Sequence, residues 1–396
     1  MLPKGFYCNG LHSGIAKQNT KKDLAIFYSE TPAAAAGMFT FSRVKAAPVL
    51  IDIERLKKYK SFHAVVANSG CANACTGLKG RKDAETVACE TAKCLDKAPE
   101  SVLVASTGVI GRFLPVEKIK KAMPELVKTA KEKNEKKAVE AIMTTDTFAK
   151  FISKKIKVAK GEIIIWGCAK GAGMIHPELK GLHATMLSFI FTDAGIEKKQ
   201  LQKLLEESAE QSFNCITVDG DTSTNDTLIL MANGQSKTGK LSKNDMAKFK
   251  SALDEITLSL AKMMAKDGEG ATKLVEIEVK NLKKRADAKK IASTIATSPL
   301  VKTALFGSDA NWGRILAAAG RAGVDFDQSK IDVYIGNIMT AKNGMALNFD
   351  ESKAKKILNA KECKITVDFK SGKESSKYYT CDFSYDYVKI NGSYRS

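Results

Sequence analysis

Six short runs along the chain carry the strand pattern: EIIIW (162–166), MLSFIF (186–191), TLILMA (227–232), KLVEIEV (273–279), KIDVYI (330–335) and CKITVDF (363–369). Runs of this length, rich in β-branched and aromatic residues, predict strands. In MLSFIF one face carries Leu187, Phe189 and Phe191 and the other Met186 and Ile190, which predicts a strand buried on both sides. Between these runs the period becomes helical. After Leu241, Ser242 and Asp245 form a capping pattern, and Met246, Phe249, Leu253, Ile256, Leu260 and Met263 recur at helical spacing. Pro124 is expected to split the lysine-rich segment 116–142 into two helices, because its ring does not fit a helix interior. The mixture predicts an α and β protein whose sheets are covered by helices, as two domains or one large body.

Composition narrows this reading. The 396 residues are 44% hydrophobic and 27% charged, ordinary for a globular chain able to bury a large core. The N-terminus MLPKGFYCNG has no apolar stretch of signal-peptide kind, and no run approaches eighteen apolar residues, so neither secretion nor a membrane span is expected. The net charge of +19 raises nucleic acid as a partner. Only eight of the 63 basic residues are Arg, the residue of bidentate phosphate and base reading, and the lysines are spread along amphipathic segments. Solvated helix faces are the simpler reading. Nine cysteines without a C-x-x-C pair read as free thiols in a reducing cytoplasm.

The chemistry is expected in the gaps between elements. Seven loops mix glycine with small hydroxyl or amide residues: NSGCANACTG (68–77), STGVIG (106–111), TTDT (144–147), KGAGMIHP (170–177), VDGDTSTNDT (218–227), KDGEGATK (266–273) and GSDANWGR (307–314). Any one of them reads as a turn. Together they point to an enzyme pocket assembled from loops. KGAGMI lacks both dinucleotide and P-loop spacing, and Glu269 inside GEGATK would repel phosphate. Neither a G-x-S-x-G elbow nor an H-E-x-x-H pair is present.

Ala184-Thr185 stands directly before the buried run. Thr185 is either β-branched filler or a nucleophile. His183 is a candidate base, since i and i+2 share a strand face, or it is a plain loop residue. A second route needs no histidine. If the Ala184–Thr185 bond is cut, the new α-amine of Thr185, with an ordinary pKa of about 7.7–8.0, can serve as base for its own hydroxyl. The same hydroxyl can make the cut by attacking the Ala184 carbonyl, and a methyl side chain leaves that carbonyl accessible.

KGAGMIHP followed by ATMLSFIFTDA resembles the signature of ornithine acetyltransferase, also called glutamate N-acetyltransferase, of arginine biosynthesis. The resemblance continues in order through GFYCNGLHSGI, AAGMFTFSRVKAAPV, NSGCANACTG, STGVIG, IMTTDT, VDGDTSTNDT, KDGEGATK, SPLVKTA, DANWGRILAAAGRAG and DYVKINGSYRS. It implies a layered sandwich of helix-covered sheets with a smaller second α/β lobe. It also implies self-cleavage into an α chain, 1–184, and a β chain, 185–396, with Thr185 as nucleophile. Acetyl then passes from N-acetylornithine to Thr185 and on to glutamate. Thr107 and Gly108 match the oxyanion hole, and Thr144, Lys170, Glu269, Asn391 and Ser396 match substrate-contacting positions. Lys170 suits an amino-acid carboxylate and Glu269 an ornithine ammonium. No metal or organic cofactor is implied, acetyl-CoA is an optional second donor, and two α and two β chains associate.

Two departures stand out. ELKGLH supplies six residues between Pro177 and Ala184 where the family has about two, and Cys71 stands where asparagine is common. Two rival functions are a related self-processing aminopeptidase or amidohydrolase, against which the threonine and the SYRS ending argue, and a basic nucleic-acid-binding protein.

Overall fold

The computed structural model describes residues 1–16, 18, 20–177 and 186–393; Ala184, Thr185, the preceding ELKGLH and Ser396 lie outside them. The chain forms two compact units, Met1–Asn214 with Thr222–Met264, and Cys215–Asp221 with Ala265–Ser396. This division is distinct from a cut after 184, which falls within the first unit.

The first unit contains β1 (Phe6–Leu11), β2 (Leu24–Phe39), β3 (Phe62–Asn68), β4 (Val102–Ser106), β5 (Lys150–Val158), β6 (Gly161–Lys170), β7 (Leu187–Thr192) and β8 (Thr227–Ala232). Its helices are α1 (Ala47–Lys58), α2 (Gly77–Leu95), α3 (Val116–Thr129), α4 (Glu135–Ile142), α5 (Lys198–Glu210) and most of α6 (Lys243–Lys266). The strand order is β4-β3-β2-β8-β7-β6-β5, with β1 also paired to β2.

The long strand β2 explains how this sheet becomes two layers. Leu24–Tyr28 pairs with β3, Ala34–Phe39 pairs with β8, and the register shifts between Tyr28 and Ala33. Phe27 of the first half meets Phe189 and Phe191 of β7 at 5.4 Å and Trp166 of β6 at 6.0 Å. The two halves therefore pack face to face around one aromatic core, all of it buried. On the outer side of the first layer, Leu24, Ile26, Val66 and Val104 pack on Val87 and Ala88 of α2 and on Ile119 and Met123 of α3. Gly167 in the second layer leaves room for Ile256 and Leu260 of α6. The expected helix-covered sandwich is present. Burial on both faces of β7 follows, since one side meets the facing layer and the other the outer helices.

The second unit holds β9 (Leu274–Leu282), β10 (Asp332–Ile335), β11 (Ile338–Lys342), β12 (Met345–Ala346), β13 (Glu362–Asp368) and β14 (Glu374–Cys381), in the order β12-β11-β10-β13-β9-β14. Its helices are α7 (Arg285–Ala296), α8 (Pro299–Phe306), α9 (Trp312–Gly320), α10 (Glu351–Leu358) and α11 (Tyr385–Gly392). Ile277 and Val279 of β9 and Ile365 and Val367 of β13 bury against Ile291 and Ile295 of α7. This is the smaller α/β lobe.

All six predicted strands are present, and the Ser242–Asp245 cap forms, with Asp245 N donating to Ser242 Oγ at 3.1 Å. Two expectations fail. Pro124 does not break its helix. It sits inside α3, where Ile119, Met123 and Leu126 make one fully buried stripe that runs on to Ala130. Burying each large side chain gains about 1.5–3 kcal/mol, enough together to outweigh the about 3 kcal/mol that an interior proline costs. The break comes later, where Lys133 turns left-handed at φ 53° and Asn134 caps α4. In α6 it is Met264, not Met263, that is fully buried, because the straight helix drifts off the predicted stripe over 24 residues.

Candidate active site

The end of β4 and the turn after β3 build the predicted oxyanion loop. Thr107 N donates to Asn68 O at 2.9 Å, and Cys71 bridges to Thr107 and to Val109. Gly108 has φ +129°, and a β-carbon there would lie 2.5 Å from Gly70 C and 2.6 Å from Cys71 N. Only glycine fits so close an approach at this φ. Because the Thr107 amide is already engaged, the donors the loop offers are the Thr107 hydroxyl and the Gly108 N–H. Neither has a hydrogen-bond partner among the described residues. Cys71 is 3% exposed, its Sγ contacts Arg112 O at 3.4 Å, and burial raises its thiol pKa. It is structural packing behind the loop.

The second group lies at the end of β6. Lys170 Nζ donates to Thr144 Oγ1 at 3.1 Å, and Lys21 Nζ to Thr144 O at 3.1 Å. Asp146 ties these pieces together. Its carboxylate accepts from Thr144 N at 3.0 Å, Gly171 N at 2.7 Å and Lys150 Nζ at 2.6 Å. Both side chains of the Asp146–Lys150 pair are fully buried. Burial pushes the Asp146 carboxyl up, but the Lys150 and Lys170 charges and the Lys150 and Gly171 hydrogen bonds outweigh it and hold it at about 2.

Strand register places these groups around the start of β7. Lys170 pairs with Leu187, Leu187 pairs with Thr227, and Thr227 N donates to Met186 O at 2.5 Å. Met186 is the first described residue after Thr185. Just before Thr227, Asp226 is buried, and its Oδ2 has no hydrogen-bond partner among the described residues. Burial raises its pKa well above the carboxylate range, against the pull of Lys170 and of hydrogen bonds from Ser223 and Thr40.

In the second unit Glu269 is 6% exposed and accepts from Asn391 Nδ2 at 2.9 Å. Gly270 seats the loop against α11, where Ser384 Oγ donates to its carbonyl. Of the residues singled out in the sequence, Thr107 adjoins Gly108, and the structure brings Thr144 to Lys170 and Glu269 to Asn391. Thr185, Ala184, Ser396 and His183 lie outside the described residues. The loops holding Asn68, Asp146, Asn225 and Asp226 stand out in the sequence, but none of these four residues does by itself. Their signal was an amide or carboxylate within a hydroxyl-rich loop abutting a strand. Among the described residues no cluster of three or more His, Cys, Asp or Glu is placed to hold a metal ion, and no helix is long and apolar enough to cross a membrane.

The ArgJ family pattern matches residues 7–396. The chain is 49% identical to the arginine biosynthesis bifunctional protein ArgJ of Caldanaerobacter subterraneus subsp. tengcongensis, covering 100% of this chain and 98% of that protein. It is 48% identical to the protein of the same name from Thermotoga neapolitana, with 100% of both chains covered. The crystal structure of the arginine biosynthesis bifunctional protein from Bacillus halodurans is similar with a TM-score of 0.49 and 44% identity, covering 50% of this chain and 95% of that one. Matched in order along almost its whole length, the chain belongs to the ArgJ family.

Proposed function

We propose that this chain is an acyltransferase of arginine biosynthesis, a glutamate N-acetyltransferase that moves acetyl from N2-acetylornithine to L-glutamate. The full-length match to arginine biosynthesis bifunctional proteins carries this reading. The open Thr107 and Gly108 donors support its chemistry, because acyl transfer passes through a tetrahedral oxyanion.

Cleavage comes first. The Thr185 hydroxyl attacks the Ala184 carbonyl carbon, the C–N bond breaks as the acyl group moves to oxygen, and water hydrolyses the ester. This leaves chains 1–184 and 185–396. The freed α-amine of Thr185 then takes the hydroxyl proton as the oxygen attacks the acetyl carbonyl of N-acetylornithine. Collapse expels ornithine, whose amine receives that proton, and leaves acetyl-Thr185. The amine of glutamate attacks this ester, and N-acetylglutamate departs as the threonine hydroxyl is restored. Thr107 and Gly108 stabilise the oxyanion in each half-reaction. Lys170, placed by Thr144, receives the amino-acid carboxylate. Glu269, placed by Asn391, is the partner proposed for the ornithine ammonium, and Ser396 completes the substrate contacts.

The cycle needs no metal or organic cofactor, since the acyl group rides on the enzyme. Acetyl-CoA, if accepted as a second donor, would acylate Thr185 through the same ester chemistry. Two α and two β chains in the cytoplasm, without nucleic-acid or membrane partners, complete the proposal. The purified protein is expected to run as two fragments on a denaturing gel, the second beginning at Thr185, and to form N-acetylglutamate from N-acetylornithine and glutamate. Thr185→Ala should give one intact, inactive chain; an uncleaved but active Thr185→Ala protein would falsify the mechanism. Running acetyl-CoA plus glutamate in parallel decides whether the second donor is used.

A further inference from the structure

Asn225 is 5% exposed and makes an unusual set of contacts. Its Nδ2 donates to Ala72 O at 2.5 Å and to Ser106 O at 2.8 Å. Its Oδ1 accepts from the Thr224 hydroxyl at 2.6 Å. This fixes the orientation of the amide, since turning it over would set an oxygen against two carbonyls. Both amide hydrogens are spent on backbone carbonyls that flank the oxyanion loop.

Those two carbonyls define where the loop sits. Ser106 immediately precedes Thr107, so the peptide joining them is held at its carbonyl by Asn225 and at its N–H by Asn68 O. Ala72 N donates to Val109 O, so its carbonyl fixes the strip that backs Gly108. Asn68 closes the network from behind, accepting from Ser106 Oγ at 2.6 Å and donating to Cys71 O at 2.9 Å. Two residues beyond Asn225, Thr227 N holds Met186 O. Asn225 and Thr227, two residues apart at the mouth of β8, thus tie the oxyanion loop to the residue that follows Thr185.

We propose that Asn225 is a positioning residue for acetyl transfer, clamping the Ala72 and Ser106 carbonyls so that the Thr107 and Gly108 donors stand at a fixed place relative to Met186 at the start of β7. This rests on the function proposed above. After the cut, Asn225 and Met186 belong to the 185–396 chain and Ala72 and Ser106 to the 1–184 chain. The clamp therefore crosses the break and holds the two halves of the catalytic apparatus in register. Direct contact with substrate is no part of this role. An error of about 1 Å in placing a catalytic group is worth roughly 100-fold in rate.

The test compares wild type, Asn225→Ala, Asn225→Asp and Asn225→Gln, each with and without Thr107→Ala. Melting temperature confirms folding, and rates are normalised to the amount of chain beginning at Thr185. Both Asn225→Ala and Asn225→Asp should lower kcat by about 100-fold, with KM for N-acetylornithine within about threefold of wild type. Asn225→Gln, which keeps the donors on a longer arm, should recover part of the loss. Thr107→Ala should cost much less in the Asn225→Ala background than in wild type, because the donor it removes is already misplaced. A folded Asn225→Ala enzyme with wild-type kcat, or a Thr107→Ala penalty equal in both backgrounds, overturns the clamp. Should Asn225→Ala not fold, the same criteria apply to Asn225→Asp and Asn225→Gln, which preserve the volume or the amide. Wild-type protein that makes no N-acetylglutamate overturns the proposed reaction itself, a result distinct from loss of activity in the variants alone.

Discussion

Lys170 Nζ donates to Thr144 Oγ1 at 3.1 Å across the mouth of the strand pair that leads to Met186. The contact sets a cation beside a hydroxyl, and both groups suit an α-carboxylate. Hydrogen bonds to charged groups contribute about 1.5–3 kcal/mol. Lys170→Met should therefore raise KM for N-acetylornithine by roughly 10- to 100-fold, with a smaller change in kcat. Steady-state kinetics with varied N-acetylornithine decide it, and an unchanged KM would remove Lys170 from the substrate site.

Asp146 governs that arrangement from inside. Its carboxylate holds Thr144 N, Gly171 N and Lys150 in one fully buried knot. Asp146→Ala removes the carboxylate that faces the buried Lys150 ammonium, and breaking a buried pair in this way costs about 3–5 kcal/mol. A large drop in melting temperature is expected, with Asp146→Ala, Lys150→Met less destabilised than Asp146→Ala alone. The pH dependence has a definite sign. The folded pKa of about 2 lies below the unfolded value, so the stabilisation is full above the ordinary aspartate range and is lost as pH falls toward 2. Acid titration of melting temperature should show wild type losing more than Asp146→Asn between about pH 4 and pH 2. Parallel curves would contradict the assignment.

Much of this arrangement was legible in the sequence, though unevenly. The strands found were those with dense Ile, Val, Leu and Phe, such as TLILMA, because their apolar period survives without tertiary context. The second half of β2, TPAAAAGMF, was not legible as strand. Alanine favours helix on its own, and these residues are strand because they pair with β8 and lie against Gln202 of α5, which bonds Gly37 at both N and O. Thr107, Gly108, Thr144 and Lys170 could be placed by family motif. Asp146 and Asn225 act through bonds that reach across 25 and 153 residues, and no local pattern announces such partners.

Gly108 tests the proposed oxyanion loop without touching a polar side chain. An alanine there would hold a left-handed φ of +129° with its β-carbon 2.5 Å from Gly70 C, so backbone must move. The Gly108 N–H moves with it. Gly108→Ala should lower kcat by roughly 100-fold while KM stays close to wild type, and should destabilise the fold by about 1 kcal/mol or more. A folded Gly108→Ala enzyme with normal kcat would show that this N–H is no oxyanion donor.

Asp226 makes the opposite prediction to Asp146. Burial keeps its carboxyl protonated well above the ordinary range, so the folded state holds a proton that the unfolded chain releases at about pH 3.9. Stability from this group falls as pH rises from the unfolded pKa through the folded one. Asp226→Asn replaces the neutral acid with a neutral amide of the same shape and has no proton to lose. Its melting temperature relative to wild type should therefore rise as the pH climbs above the ordinary aspartate range, with the variant gaining on wild type. Differential scanning calorimetry at four or five pH values measures this directly. A difference that stays flat, or that favours wild type increasingly at high pH, would mean that Asp226 is ionised beside Lys170 and belongs to the charged part of the site.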